Sequence, residues 1–440
     1  IDIFQKAFET DFSGRGEISV YTKEEFHNCW SLNATGIDKI LNAYSDTTFP
    51  DITVAVIDTG VDLDHELFDG RITRTYFNSS GDGDPKNESD VYGHGTMVSS
   101  IIVKTTSPNV KIANYRIGTD EGETTMVMFN AAVLKAVLDG VKIISISCSS
   151  WDNYELELET LEYAYSNGCF ITNSAGNTSS DLGVKNASAL DVSGYACTVA
   201  SSTRKNLPAN STSYGKPVKI VAPGDAVAVA QIGNRYGVAS GTSFSSPYIA
   251  GVYAMFTNVH PTLTREEKLR MMLGCTTELS EPYIKYSFYN GIINALDLFG
   301  MNNLSKPTFS LSEGVYIGAV EIELSAEDGC DIYYTMDQTY PSPANGTLYT
   351  EPIIFEGDVF EITAVAYKNG KRSDFSKTII HSAKLGTDDM FTISEAGTIT
   401  GYTGDALYLK IPETINGIEV NDIAENLFTN VKIVGIVLPD

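Results

Sequence analysis

No apolar run in the 440-residue sequence reaches the roughly 18 residues that a membrane-crossing helix needs, so no span is expected. Basic residues are scarce: 30 Lys and Arg stand against 56 Asp and Glu, a formal net charge of −26. That balance argues against a nucleic-acid partner, because phosphate binding needs a basic face. It suits a soluble protein living among other solutes outside the cell. The six cysteines, Cys29, Cys148, Cys169, Cys197, Cys275 and Cys330, are scattered without a CxxC spacing. They read as small buried apolar residues rather than as a disulfide framework or a zinc site. The chain opens on Ile1 with no leader pattern, as expected of a processed or partial chain.

What is present is a globular composition, 42% hydrophobic and 20% charged, over a length that implies more than one core. Residues 1–29 are mixed and polar and read as an N-terminal extension. From 30 to 301 the chain alternates strand and helix. Apolar runs such as "ITVAVID" (52–58), "VKIISISC" (141–148) and "CFITNSA" (169–175) carry no polar alternation. They read as strands buried on both faces, joined by helices such as "MVMFNAAVLKAVLDG" (126–140), hence as a parallel α/β sheet. Residues 302–385 switch to period two, with "VEIELS", "DIYYTM" and "EITAVAY" and an Asn-Gly hairpin signal at 369–370. This reads as an all-β Ig/Fn3-like sandwich. In 386–440, "YLKIPE" (408–413) recurs as "GIVLPD" (435–440), 27 residues on. That period lies in the leucine-rich-repeat range, and a single unit cannot bury its own face. The natural protein is therefore expected to continue past Asp440.

Three short motifs place chemistry at element ends. Asp58 closes the apolar strand of "VIDTGVD" (56–62), and His94 is flanked by glycines in "YGHGT" (92–96). In "ASGTSFSSPYIAG" (239–251), Gly241 and Thr242 make a turn and Ser243 falls at the start of a helix that is apolar nearly all round. Pro247 is read as sitting near that start, where a missing N–H costs least. Backbone N–H groups at a helix start meet developing negative charge, so a hydroxyl there is placed to attack a carbonyl. A serine nucleophile needs a base, and the base an orienting carboxylate; His94 and Asp58 are of the right types. Asn177, ending "NSAGN" (173–177), is a candidate oxyanion donor.

Together these residues resemble the subtilisin-like serine peptidases, peptidase family S8. Asp58 matches the family's Asp-Thr/Ser-Gly motif, His94 its Gly-His-Gly-Thr motif, and Ser243 its Gly-Thr-Ser-x-Ser/Ala-x-Pro motif. Asn177 matches the oxyanion asparagine of Ala-Gly-Asn. The order Asp, His, Ser is the one long established for subtilisin. The resemblance covers about 30–300 and implies a subtilisin-like parallel sheet flanked by helices, with Asp58, His94 and Ser243 as catalytic residues.

The resemblance also implies that an extended polypeptide binds as a strand between two edge segments. These are "SCSS" (147–150), with Ser147 and Ser149, and the stretch around Gly122; Ser174, Ala175 and Gly176 line the opposite wall. Ser149 and Ser150 stand where the family usually has glycines, which narrows the primary pocket. Asp120, Glu121, Glu123 and Asp152 read as solvated acidic surface, or as a preference for basic substrates. No cofactor is implied and no metal site is assigned. The family's usual calcium-ligand aspartate falls near Leu67, and "GDGDPKNESD" (81–90) reads as an acidic loop that also suits structural calcium.

The β module resembles the Fn3-like domain of chitobiase-type proteins, and the tail the leucine-rich repeats of bacterial surface proteins. These imply an extracellular or surface-displayed bacterial endopeptidase whose accessory modules bind surface ligands or other proteins. The alternative is an adhesion protein with an inactive peptidase domain.

Overall fold

A computed structural model describes residues 5–6, 21–77, 89–148, 154–183, 188–278, 291–301, 304–339, 341–343, 346–355, 359–368, 371–373, 375–429 and 431–439. The chain divides into two compact units, 1–299 and 300–440.

Among the described residues, the main sheet of the first unit has nine strands: β1 (Ile52–Asp58), β2 (Ile72–Phe77), β3 (Val110–Arg116), β4 (Ile143–Ile146), β5 (Phe170–Ser174), β6 (Ala196–Ser202), β7 (Val218–Pro223), β8 (Thr276–Glu278) and β9 (Gly291–Ile293). They hydrogen-bond in the order β8-β9-β7-β6-β5-β4-β1-β3-β2. Only the β8–β9 pair is antiparallel. Strands β1, β4 and β6 are buried along nearly all of their length, which is why their sequences carry no polar alternation.

Helices α1 (His94–Thr105) and α4 (Thr242–Val259) are the buried central helices. α4 lies against the sheet, its Ser246 Oγ donating to the Ile146 carbonyl (3.0 Å) and lying within hydrogen-bond distance of Thr172 Oγ1 (3.0 Å). α2 (Met126–Leu138) and α3 (Tyr154–Ser166) contribute to a second core. There Phe129, Val133 and Leu161 pack with Ala55, Ile57, Tyr115, Ile144 and Ile171 from the sheet. β1 and β4 thus run buried between helices, and their carboxyl ends carry Asp58 and Ser147.

Thr22 and Glu25 form a capping box on the helix Lys23–His27, whose Phe26 is fully buried. Lys104, buried in α1, sits 5.5 Å over the Phe26 ring and donates to the Ala228 carbonyl (2.6 Å). Burial lowers the Lys104 pKa. Cys29, Cys148, Cys169, Cys197 and Cys275 are buried free thiols, and Cys330 is half-buried and free.

In the second unit, strands Asp331–Thr335, Val359–Lys368 and Ser376–Leu385 pair antiparallel in sequence, with Gly314–Ile317 added parallel to the last. Two shorter pairs, Val320–Ile322 with Ile353–Phe355 and Thr308–Phe309 with Leu324–Ser325, complete the β-rich fold. Ile322, Ile332, Ile362 and Ile380 share one core with them. The Asn-Gly pair at 369–370 lies outside the described residues, and the strands on either side of it pair antiparallel, Lys368 opposite Lys371.

The tail joins this unit rather than forming a separate body. Lys384 and Leu385 pair parallel with Leu409 and Lys410, and Tyr408–Lys410 pairs parallel with Gly435–Val437. The register Tyr408↔Gly435, Leu409↔Ile436, Lys410↔Val437 repeats at the 27-residue offset of the sequence. The last long strand of the preceding module caps the first turn of the tail, so one coil does not have to bury its face alone. Leu409, Ile411, Ile399 and Ile415 form the core beneath it, each without solvent exposure. Leu409→Ala is expected to destabilise the second unit by about 2–5 kcal/mol, read as an earlier transition in thermal or urea unfolding of the full chain.

Candidate active site

Asp58 is the last residue of β1 and His94 the first of α1. The His94 Nδ1–H donates to Asp58 Oδ1 at 2.7 Å, and neither side chain has any solvent exposure. The Thr59 N–H also donates to Asp58 Oδ1 at 2.7 Å. Asp58 Oδ2 is buried without a hydrogen-bond partner among the described residues. Burial pushes the Asp58 carboxyl above its ordinary pKa, while the His94 ring opposes that rise.

What holds these two motifs together is a residue the sequence reading treated only as part of an acidic loop. Asp90 is buried and its carboxylate accepts four hydrogen bonds. Oδ1 receives Thr59 Oγ1 (2.9 Å) and the Gly93 N–H (2.7 Å); Oδ2 receives the Thr96 N–H (2.8 Å) and Thr96 Oγ1 (2.7 Å). It therefore satisfies an orphan N–H in the first turn of α1, a role the sequence signals only as an acid four residues ahead of His94. The chain is tight here. A Cβ on Gly95 would stand 2.1 Å from the Gly60 carbonyl oxygen.

Ser243 lies in the first turn of α4, 7% exposed. Gly241 precedes the helix at φ 148°, a conformation open to glycine. The ring of Phe244, the next residue, is 6.1 Å from the His94 ring, so the serine and histidine motifs meet. Pro247 sits inside α4, not at its edge as the sequence suggested. Lacking an N–H, it leaves the Ser243 carbonyl, four residues back, without its helical donor. Ser147 Oγ supplies that donor at 2.9 Å. In return Ser243 Oγ reaches the Ser147 carbonyl at 3.4 Å. The other serines of the stretch are anchors: Ser240 Oγ accepts the Ala226 N–H (2.8 Å) and Ser245 Oγ donates to the Ala222 carbonyl (3.0 Å).

Ser174 is the last residue of β5, and Ala175, Gly176 and Asn177 follow it directly. Asn177 Oδ1 accepts from the Thr242 N–H (2.9 Å) and Thr242 Oγ1 (3.1 Å), and Thr242 Oγ1 in turn accepts the Gly176 N–H (3.1 Å). With its oxygen committed, the Asn177 amide has its NH₂ left as the donor end.

Gly122 turns at φ 76° before the two-residue strand Glu123–Thr124. That strand pairs antiparallel with Gln5–Lys6 from the same chain, so the edge expected for a substrate is occupied by the protein itself. Asp120 is not a free acid, because its carboxylate pairs with the buried Arg116 guanidinium at 2.5 Å. Leu67 is buried in a short 3₁₀ turn. Ser149, Ser150, Asp152 and residues 81–88 lie outside the described residues.

The Subtilase family model matches residues 50–301, more than half of the sequence. The chain belongs to the subtilase family. An Fn3-associated module occupies residues 320–379. Relatives include a thermophilic serine proteinase of Bacillus sp. (strain AK1), 31% identical over 234 residues, 49% of this chain and 56% of that protein. Alkaline protease 1 of Aspergillus oryzae is 32% identical over 208 residues, 45% of this chain and 49% of that protein. This subtilase spans about half the length of the curated relatives it matches. A solved lanthipeptide protease shares the fold at TM-score 0.54 and 20% identity, covering 64% of this chain and 96% of that one.

Asp90→Ala removes one acceptor from four donors. It is expected to lower the thermal midpoint and to cost about 2–4 kcal/mol, since leaving buried donors unpaired carries their full desolvation penalty. Asp90→Asn, which keeps the shape, should lose less; differential scanning calorimetry of the two variants checks the order.

Proposed function

We propose that this subtilase is a serine endopeptidase that hydrolyses polypeptides through an acyl-enzyme on Ser243. The observation that carries the reading is the fully buried Asp58–His94 hydrogen bond, 2.7 Å long, set beside the helix start that bears Ser243. Ser243 Oγ attacks the scissile carbonyl carbon as its proton passes to His94 Nε2. Asp58, bound at Nδ1, fixes the tautomer and stabilises the imidazolium that forms. The tetrahedral oxyanion is met by the Asn177 NH₂ and by the N–H groups at the start of α4. His94 then gives its proton to the leaving amine, which departs as the C–N bond breaks. Water repeats the sequence on the acyl ester and frees Ser243.

The substrate lies extended along Ser147–Ser149 and the Gly122 segment, with Ser174, Ala175 and Gly176 as the far wall. Pairing of Gln5–Lys6 with Glu123–Thr124 supports this, since it shows that edge accepting an antiparallel strand. No cofactor enters these steps. The acidic composition and the β modules favour an extracellular or cell-surface enzyme whose accessory region contacts surface ligands or other proteins. The 27-residue parallel register supports reading the tail as a leucine-rich-repeat type coil.

A fluorophosphonate probe is expected to label the wild-type chain and not Ser243→Ala. A folded chain that takes no label would favour a binding protein with an inert site. Peptide hydrolysis is expected to fall as pH drops, because His94 must be neutral and Asp58 ionised to act. Burial raises the Asp58 carboxyl, so Asp58 takes up a proton at higher pH than a free carboxylate would. A profile of kcat/KM that stays flat down to about pH 4 contradicts this assignment.

A deletion of residues 1–6 is expected to lower KM for extended peptides without changing kcat, measured by initial-rate kinetics against the full chain.

A further inference from the structure

Hydrogen-bonded to β5 just ahead of Ser174 is a buried carboxylate with no role in the steps above. Asp191 is 7% exposed, in the short helix Ala189–Val192. Among the described residues it has no cationic partner; its ligands are all neutral. Oδ2 accepts the Ser188 N–H (2.9 Å) and Ser188 Oγ (2.8 Å). Oδ1 accepts Asn173 Nδ2 (3.1 Å) and Thr198 Oγ1 (3.2 Å). Burial raises its pKa, against the hydrogen bonds from Ser188, Asn173 and Thr198. With three full donors and a share of the Thr198 hydroxyl proton, which also reaches Asn173 Oδ1, the carboxylate is satisfied without a cation, which makes it a poor receptor for a substrate cation and a good fixed point.

Asn173 is what it fixes. This residue, 1% exposed, sits on β5 in register with Thr198 on β6, whose Oγ1 donates to Asn173 Oδ1 at 3.0 Å. With oxygen and nitrogen both engaged, the amide has one orientation. Its Nδ2 also reaches the Ser174 carbonyl at 3.4 Å. Ser174 opens the four-residue run to Asn177. Thr242 clamps the far end of that run, at Gly176 and Asn177. The near end has the Asn173 amide, and that amide is set by Asp191.

We infer that Asp191 is a positioning residue for the oxyanion asparagine: acting through Asn173, it fixes the Ser174–Asn177 segment against which the tetrahedral intermediate is stabilised. This rests on the proposed peptidase reading of the site. It assigns a task to a carboxylate that none of the family's four sequence motifs contains.

The test is a cycle of Asp191→Ala, Asn173→Ala and the double variant in the full chain. Peptide kcat and KM are measured well below each variant's thermal midpoint. Loss of an oxyanion donor costs about 10²–10³ in kcat, so a displaced donor should cost about tenfold or more, with KM changed by less than about threefold. Because Asp191 acts through Asn173, the double variant should lie within about twofold of the worse single. Asp191→Asn, which keeps the volume and one acceptor, should be intermediate, and it serves if the alanine variant does not fold.

The inference is overturned if kcat of folded Asp191→Ala, or failing that of Asp191→Asn, stays within about twofold of wild type, or if the two single losses multiply in the double. Fluorophosphonate labelling separates the two levels. A labelled wild type with an unaffected Asp191 variant removes this inference alone, whereas a wild type that is neither labelled at Ser243 nor hydrolytic removes the peptidase reading on which it stands.

Discussion

The carboxylate of Asp90 is the point on which the site is hung. Its four donors come from Thr59, just after β1, and from Gly93 and Thr96, at the start of α1. Strand end and helix start are separated in sequence by more than thirty residues, including the acidic stretch 81–90. One side chain converts them into a single rigid corner. Hydrogen bonds to a charged acceptor are each worth about 1.5–3 kcal/mol net, which offsets part of the backbone entropy lost in ordering the two segments. Only within that corner do Asp58 and His94 meet at hydrogen-bonding distance with water excluded.

The second half of the site is organised by a helix that gives up one of its own bonds. Pro247 deprives the Ser243 carbonyl of its helical donor, and Ser147, from the end of β4, replaces it. The result is a link between the nucleophile's backbone and the sheet edge that a regular helix would not have needed. Ser245 and Ser246 make similar ties to Ala222 and Ile146, so α4 is pinned to the carboxyl ends of β4 and β7. A hydroxyl presented from such an element loses little entropy in reaching a reacting carbonyl.

Which parts were legible from the sequence follows from how local their signals are. The parallel sheet announced itself through uninterrupted apolar runs, and Asp58, His94, Asn177 and Ser243 stand inside short motifs with fixed neighbours. Asp90 looked like one more acid in an acidic loop, because its partners Thr59 and Thr96 are brought to it by the fold. Asp191 was silent for the same reason: Ser188 is adjacent, but Asn173 and Thr198 arrive from separate strands. Pro247 was seen and misplaced, since a helix start is fixed by backbone geometry that composition marks only within a few residues. The helix Lys23–His27 was missed because its anchor, Phe26, buries against residues far along the chain. In the tail, the 27-residue spacing was visible, whereas its union with the preceding module depends on the pairing of Lys384 with Leu409.

The contact of Gly95 with the Gly60 carbonyl bears on how this site can vary. One glycine comes from the aspartate motif and the other from the histidine motif, and between them there is no room for a single added carbon. A side chain at Gly95 cannot be absorbed by a rotamer change, because what it strikes is main chain. It would have to push the two loops apart, and the Asp90 bonds and the Asp58–His94 bond would lengthen with them. A change of side chain at the Gly60 position could not relieve the clash, because the atoms struck belong to the main chain of any residue placed there.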